Sequence, residues 1–441
     1  MEKTPVYLIF VDAQTEIGSN KFYNITPNGD NTFTAEWGRV GGHKSSKIYP
    51  MSKWDSTIKS KLKKGYVDIT DLKSDIIEDS KVATEEENKN KTQDKFSLIK
   101  NTSVRDIIKR LFNFANKTVQ ASYKVTSEQV TQAMIDKAQG IIDELSNNYK
   151  NYSTEEFNNK LKELFITIPR KMKTVKSYLL SEDRATNENK EKIIQREQDT
   201  LDALAGTVYI PKTLREKIDD KNNRVNNVEN NPDEANQNQL SMLQEMGIEM
   251  EDCDENDIKK IKKAMGNMSD KFYKAWRVKN LETEEVYQKF TKENNIGNVK
   301  LLCHGSRNQN WFNILKQGLL IRPSGAIITG AMFGFGCYYG NPDKYNGGVQ
   351  KSIGYTSLNG YWTRDSQNCG FIAFFDVAIG ESLDVYSFDS KYYNFDLKKL
   401  QAEKPNAWSL WAHGNTNMLR NDEIIVYTTK QMTIRYLVEI R

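Results

Sequence analysis

The sequence predicts a multidomain α+β protein: a small strand-rich module with one helix, an all-α helical bundle, and a mixed α/β domain. Three observations predict it. β-branched runs and period-two alternation mark residues 1–78, helical periodicity takes over across 98–218, and glycine-punctuated strand runs fill 239–441. Two polar stretches that cannot bury a core, 79–97 and 219–238, read as linkers between them.

A chain of 441 residues is long enough for two to four domains, each with its own core. Hydrophobic residues make up 38% and charged residues 28%, and no apolar run approaches the ~20 residues of a bilayer span. The charged start Met1-Glu2-Lys3-Thr4-Pro5 has no apolar core of a secretory signal, so an intracellular protein without membrane partners is expected. That setting is nuclear in a eukaryotic host, and cytoplasmic or nucleoid in a bacterial or viral one. Four cysteines, Cys253, Cys303, Cys337 and Cys369, show no CxxC or Cys/His spacing, which predicts reduced thiols and no metal centre. A net charge of +4 is too small to point to nucleic acid unless the cations cluster.

In the first module Val6–Val11 reads as a strand, and Phe33, Ala35 and Trp37 alternate with Thr34 and Glu36 as in a half-buried strand. Ser52 offers an N-cap to a helix with Trp54, Ile58 and Leu62 on one face. Lys44, Lys47, Lys53, Lys59, Lys61, Lys63 and Lys64 form a local basic cluster. Ser103-x-x-Asp106, Thr126-x-x-Gln129 and Ser153-x-x-Glu156 each predict the opening of a helix, the third ending near Pro169. Ile193, Ile194, Leu201 and Leu204 predict a fourth helix. Beyond the second linker, Asp254 caps a short helix, and strands are expected at 299–302, 371–377, 424–428 and 433–440.

The chemistry concentrates in the last domain. Leu301-Leu302-Cys303-His304-Gly305-Ser306 is a buried strand that delivers a His, a Gly and a Ser at its end. Asn310 follows as an expected helix cap, with Trp311, Ile314 and Leu315 inside and Gly318 closing. A glycine there lets a ligand reach the backbone directly. Alone, the triplet specifies only a turn.

The triplet is followed by Ile328-Thr329-Gly330-Ala331-Met332-Phe333-Gly334-Phe335-Gly336-Cys337-Tyr338-Tyr339, then Lys351-Ser352-Ile353-Gly354-Tyr355, and finally Asn421-Asp422-Glu423-Ile424-Ile425. In order and spacing this resembles the catalytic domain of the poly(ADP-ribose) polymerase family, a mixed α/β ADP-ribosyltransferase domain built on antiparallel sheets. The resemblance implies a catalytic His304, Tyr338 and Glu423. His304 holds a ribose hydroxyl of NAD+, Gly305 grips the nicotinamide carboxamide, and Tyr338, Ser352 and Tyr355 surround the nicotinamide ring. Ser306 and Asn310 lie around the adenosine half, and Met332 lines the acceptor site. NAD+ is implied as the substrate, with no added cofactor and no metal. A carboxylate at Glu423 suits this chemistry, because departing nicotinamide leaves positive charge on the ribose and the incoming nucleophile must lose a proton. Two positions depart from the family: Tyr339 stands where Phe is usual, and Asp422 where Asn is usual. Strand alternation predicts that Asp422 faces away from Glu423. If it did not, repulsion would raise the Glu423 pKa.

Glu36-Trp37-Gly38-Arg39-Val40-Gly41 resembles the WGR domain that accompanies such catalytic domains. It implies binding to DNA ends or breaks, with Trp37 near the terminal sugar or base, Arg39 bridging to DNA or a neighbouring domain, and Lys44 and Lys47 meeting phosphates. The helical segment, with Phe165-Ile166-Thr167-Ile168-Pro169, resembles the family's regulatory helical domain. The expected activity is DNA-break-stimulated transfer of ADP-ribose to proteins, including the chain itself. Two rivals stand beside it: a DNA-end-binding protein with a silent transferase domain, and an NAD glycohydrolase. Asp252-x-Asp254-x-Asn256 opens like a calcium loop but has Asp257 where Gly is needed and Lys263 where Glu should close it. Gly334-x-Gly336 lacks the later glycine and βαβ setting of a dinucleotide fold.

Overall fold

The structure is a computed structural model that describes residues 3–73, 95–122, 130–208, 240–321, 332–340, 369–414, 416, 419 and 422–441. These fall into two compact units.

The first unit opens with five strands: β1 (Val6–Asp12), β2 (Ser19–Pro27), β3 (Thr32–Arg39), β4 (Lys44–Pro50) and β5 (Val67–Asp68). They form an antiparallel sheet in the order β4-β3-β2-β1-β5. The helix α1 (Trp54–Leu62) lies between β4 and β5 in the chain. Because strand side chains alternate between faces, β1 serves two cores. Leu8 joins Tyr23, Ile25, Phe33, Ala35 and Trp54. Ile9 and Val11 join apolar residues of the helical segment.

Four helices occupy that segment among the described residues: α2 (Thr102–Ser122), α3 (Gln132–Asn148), α4 (Thr154–Thr167) and α5 (Asn187–Val208). The last three belong to the first unit, and their Met134, Ile142, Phe157, Leu161, Phe165 and Leu204 share a core with β1. Ser153 and Glu156 form the expected reciprocal capping box of α4. Two sequence expectations about caps are corrected. Ser52 does not cap α1; it sits in a 3₁₀ turn, Met51–Lys53, that leads into the helix. The backbone N–H of Val104 is taken by Asn101, while the Ser103 hydroxyl donates to Asp252 and accepts from the Trp276 indole N–H. Thr131 caps α3, by accepting from Met134 N–H, and the predicted opening at Thr126 lies outside the described residues.

The second unit is built on nine strands: β6 (Ile248–Asp252), β7 (Phe272–Asn280), β8 (Val299–Gly305), β9 (Cys337–Gly340), β10 (Gly370–Ala378), β11 (Glu381–Val385), β12 (Ala407–Ala412), β13 (Glu423–Val426) and β14 (Met432–Ile440). Their order is β11-β12-β13-β9-β8-β10-β14-β7-β6, antiparallel throughout except for β11 against β12. Helices α6 (Met242–Met246), α7 (Glu255–Met265), α8 (Leu281–Glu293), α9 (Trp311–Gln317) and α10 (Leu397–Glu403) surround it. Asp254 caps α7 through Asp257 N–H, as expected. Residues 102–116 of α2 belong to this unit. Val104, Ile107, Ile108, Leu111 and Ala115 lie in one core with Trp276, Leu302, Trp311, Phe371 and Leu437. Each of the larger ones contributes roughly 2 kcal/mol by leaving water. Arg110 adds an ion pair of 2.6 Å to the buried Glu439 of β14. The helical segment therefore contributes to both units.

Cys303, Cys337 and Cys369 are buried free thiols and Cys253 is partly covered. Burial pushes the Cys303 and Cys337 thiols up to about 12, so they are inert at neutral pH. Among the described residues no group of His, Cys, Asp or Glu could hold a metal ion, and no helix is long and apolar enough to cross a membrane.

Candidate active site

Three neighbouring strands build the site. β13 pairs with β9, setting Glu423 opposite Gly340 and Ile425 opposite Tyr338. β9 meets β8 at a single pair, Gly340 opposite Cys303, beside His304. Gly340 is thus flanked by the first residue of β13 and the residue before His304. Side chains two apart on a strand share a face, so Tyr338 and Glu423 lie on the same side of the sheet. Glu423 is close enough to add to the upward pull on the Tyr338 hydroxyl that burial begins.

His304 is half-buried. Its Nδ1 lies 2.9 Å from the Tyr338 carbonyl oxygen, and its ring packs edge-on against Tyr339 with centroids 5.9 Å apart. A carbonyl can only accept, so Nδ1 carries the proton. Burial holds the imidazole below its usual pKa, which keeps it neutral and leaves Nε2 as an acceptor. An acceptor there can take the hydrogen of a ribose hydroxyl.

The Tyr338 hydroxyl is committed within the protein. It donates to the Gly334 carbonyl and accepts from the Phe333 N–H, both at 2.9 Å. The turn it holds requires glycine: Gly334 has φ +81°, and an added Cβ would lie 2.2 Å from the Phe395 carbonyl oxygen. Tyr338 therefore has its ring, rather than its hydroxyl, to offer a ligand. Met332, like Tyr338, packs against the cluster containing Phe333, Tyr392, Phe395 and Tyr427.

Glu423 is pushed up to about 7, and burial is the cause. Among the described residues no neighbouring carboxylate raises it. Asp422, buried at 5% exposure, accepts from the Trp411 indole N–H at 2.8 Å and the Gly414 N–H at 2.7 Å. Its two oxygens are thus met by donors of their own. A carboxylate near pH 7 exists in both forms at neutral pH, which suits a group that receives a proton and faces a developing cation.

Gly305 ends β8 opposite Ile372. Ser306 accepts from the Asn310 side-chain amide at 3.0 Å, so Asn310 does not cap α9 through its side chain as expected. Gly318 closes that helix with φ +81°. Ser352 and Tyr355 lie outside the described residues. Sequence reading missed Asn308, which is buried and donates to the Cys369 carbonyl at 3.0 Å, tying the segment after His304 to the start of β10. Its only signal was an Asn in a polar run.

In the first unit, Trp37 is half-buried and stacks on Tyr23, with centroids 5.7 Å apart and planes 19° apart. Gly38 admits no side chain, since a Cβ would lie 2.4 Å from the His43 carbonyl oxygen. Arg39 donates to the carbonyls of Gly18, Met172 and Lys173, so its bridge runs to the segment between α4 and α5. Lys44 pairs with Glu36 at 2.8 Å, and the Lys47 ammonium sits 5.3 Å from the Tyr49 ring centre. Both stand on the exposed edge strand β4. Lys61 lies 3.8 Å over the Tyr23 ring, and burial followed by the charges of Lys64 and Lys21 holds it below its usual pKa. Lys21 extends the cationic cluster beyond the lysines that the sequence brought to notice.

The family model for the poly(ADP-ribose) polymerase catalytic domain matches residues 255–441, and that for the WGR domain matches 4–73. The poly(ADP-ribose) polymerase-like protein 100L of Invertebrate iridescent virus 6 is 30% identical over 38% of this chain and 86% of its own length. The chain belongs to the poly(ADP-ribose) polymerase family. It is an NAD+ ADP-ribosyltransferase by class, with a WGR domain ahead of the polymerase-family catalytic domain. Protein 101L of the same virus is 32% identical over 49% of the chain and 81% of its own length. Poly(ADP-ribose) polymerase 1 of Oryza sativa subsp. japonica is 32% identical over 43% of the chain, but over only 21% of its own, much longer, sequence.

Proposed function

We propose that this polymerase-family chain cleaves the nicotinamide–ribose bond of NAD+ and transfers ADP-ribose to proteins, itself included, with DNA breaks as the stimulus. NAD+ is consumed as a substrate and no bound cofactor is needed. The observation that carries the reading is the row across β8, β9 and β13. It sets a neutral imidazole with Nε2 as its acceptor, a tyrosine ring and a carboxylate of pKa about 7 on adjacent strands. In the proposed cycle His304 Nε2 receives a ribose hydroxyl, and Gly305 receives the carboxamide at its backbone. Tyr338 supports the nicotinamide ring, with Ser352 and Tyr355 completing that pocket. Ser306 and Asn310 meet the adenosine half, and Met332 borders the acceptor. As nicotinamide leaves, Glu423 stabilises the cationic ribose and takes the proton of the attacking nucleophile.

The lysines of the first unit support DNA binding through phosphate contacts, with Lys44, Lys47 and the Trp37 region facing the nucleic acid. Arg39 then transmits engagement to the helical segment, because its guanidinium already holds that segment's backbone. The test is incubation with labelled NAD+, with and without broken DNA, followed by mass spectrometry of native protein and Glu423→Gln. Protein-bound label that rises with DNA and vanishes in Glu423→Gln supports the proposal. Free ADP-ribose alone identifies a glycohydrolase, and DNA binding without turnover identifies a silent transferase.

A further inference from the structure

Asp422 stands directly before Glu423, yet the two carboxyls serve different surroundings. Burial raises Glu423, whereas both oxygens of Asp422 accept N–H donors: Trp411 Nε1 on Oδ2 and Gly414 N on Oδ1. Trp411 lies on β12 opposite Ile424, the residue that follows Glu423, and Ala412 lies opposite Glu423 itself. Gly414 follows two residues later, so the Asp422 side chain clasps the end of β12 from the beginning of β13. The Trp411 donor is fixed in direction. Its ring stacks on His413 with centroids 5.3 Å and planes 9° apart, and His413 stacks on Tyr386 at 4.2 Å and 3° while its Nε2 meets Asp384 at 2.7 Å.

The two N–H donors fall on different oxygens of Asp422. A carboxylate supplies both, whereas the amide usual in the family at this position supplies one acceptor and sets an NH₂ against the other donor. We infer that Asp422 is a positioning residue for Glu423: holding Trp411 and Gly414 on its two oxygens, it fixes the first residue of β13 and keeps water from the catalytic carboxyl. The inference rests on the reading of Glu423 as that carboxyl. Asp422 touches no reacting atom; it acts through its neighbour.

The test compares full-length native protein with Asp422→Asn, Trp411→Phe and the double variant. The Glu423 carboxyl is titrated by difference infrared spectroscopy, with Glu423→Gln in each background as the blank. The native midpoint is expected at about 7. In Asp422→Asn water gains access, the midpoint moves by about one pH unit or more toward the ordinary carboxyl range, and kcat with NAD+ falls about tenfold or more while KM stays within about twofold. The double variant regains most of both, because the amide oxygen then serves Gly414 and the Trp411 N–H no longer opposes its NH₂. A lowered thermal midpoint with an unshifted Glu423 titration, or a double variant no better than the single, overturns the inference. If Asp422→Asn does not fold, Trp411→Phe alone must shift the titration in the same direction, and an unshifted midpoint there also overturns it. The spectroscopic midpoint needs no turnover. Absence of transfer by native protein would therefore refute the transferase reading while leaving Asp422 decided by the titration.

Discussion

Replacing Glu423 by Gln removes a charge that the fold makes unfavourable. Burial raises the carboxyl from 4.5 to about 7. At about 1.4 kcal/mol per pH unit, that interval makes the ionised form roughly 3 kcal/mol less favourable in the folded chain than in the unfolded one. The sign follows from proton binding. Below pH 4.5 both states hold the proton and no penalty exists; between 4.5 and about 7 only the unfolded chain releases it, so native stability falls as pH rises; above about 7 the loss is complete. Gln does not titrate. Glu423→Gln should therefore match native protein near pH 4 and exceed it by roughly 3 kcal/mol near pH 8.5. Urea unfolding of both proteins at the two pH values reads the difference from the transition midpoints of the catalytic unit. Transfer from NAD+ should meanwhile fall about 10²-fold to 10³-fold. A stability gap that is the same at both pH values would refute the claim that this carboxyl is held in a site that disfavours its charge.

His304→Ala removes the acceptor Nε2 and should raise KM for NAD+ about tenfold, read from initial rates, with a smaller change in kcat. Arg39→Ala leaves the Met172 and Lys173 carbonyls without their guanidinium and should cost about 1–3 kcal/mol, with faster hydrogen exchange across residues 170–178 and weaker stimulation by DNA. Arg110→Ala leaves the buried Glu439 with Arg441 as its remaining ion-pair partner among those described, and should lower stability by about 2 kcal/mol at neutral pH by thermal unfolding. Gly38→Ala forces a Cβ into the His43 carbonyl and should destabilise the β3–β4 hairpin by about 2 kcal/mol or more, visible as increased exchange at residues 33–49.

Elements with their own period were legible in the sequence. Val6–Val11 and Phe33–Trp37 stand as β1 and β3, the capping pair Ser153/Glu156 closes as read, and Asp254 caps its helix as read. Elements whose burial comes from neighbours were not. β4 is exposed along almost its whole length and has no alternation to read. β9 is four residues long and nearly continuous in burial, so no period can emerge. Caps failed where a distant partner competed: Ser103 sits in a capping pattern, yet its hydroxyl is taken by Asp252 and Trp276, about 150 to 170 positions away. Arg39 shows the same limit in the candidate DNA surface. Its charge suggested either phosphate or a neighbouring domain, and only the fold shows three carbonyls converging on it. The residue types at 304, 338 and 423 were legible through their motifs, whereas the register that aligns Gly340 with both Cys303 and Glu423 is a property of paired strands.

The two departures from the family's usual residues follow one rule. Each adds polar capacity at a buried position beside the row of His304, Tyr338 and Glu423, and each addition has a partner. The Tyr339 hydroxyl, absent from Phe, is directed at the Met432 sulfur within the core, and burial drives its pKa well above the usual value, so it stays neutral. The second acceptor oxygen of Asp422, absent from Asn, takes an N–H of the Trp411–Gly414 pair. A buried polar atom left without a partner costs about 1–3 kcal/mol, enough to displace a short strand such as β9 or β13. Because both additions are satisfied on the spot, the strands that carry Tyr338 and Glu423 keep their register. Changing either residue to the family's usual one therefore tests more than local packing: Tyr339→Phe deletes a donor together with its need for a partner, while Asp422→Asn leaves two donors competing for one oxygen. Only the second should disturb the row of His304, Tyr338 and Glu423.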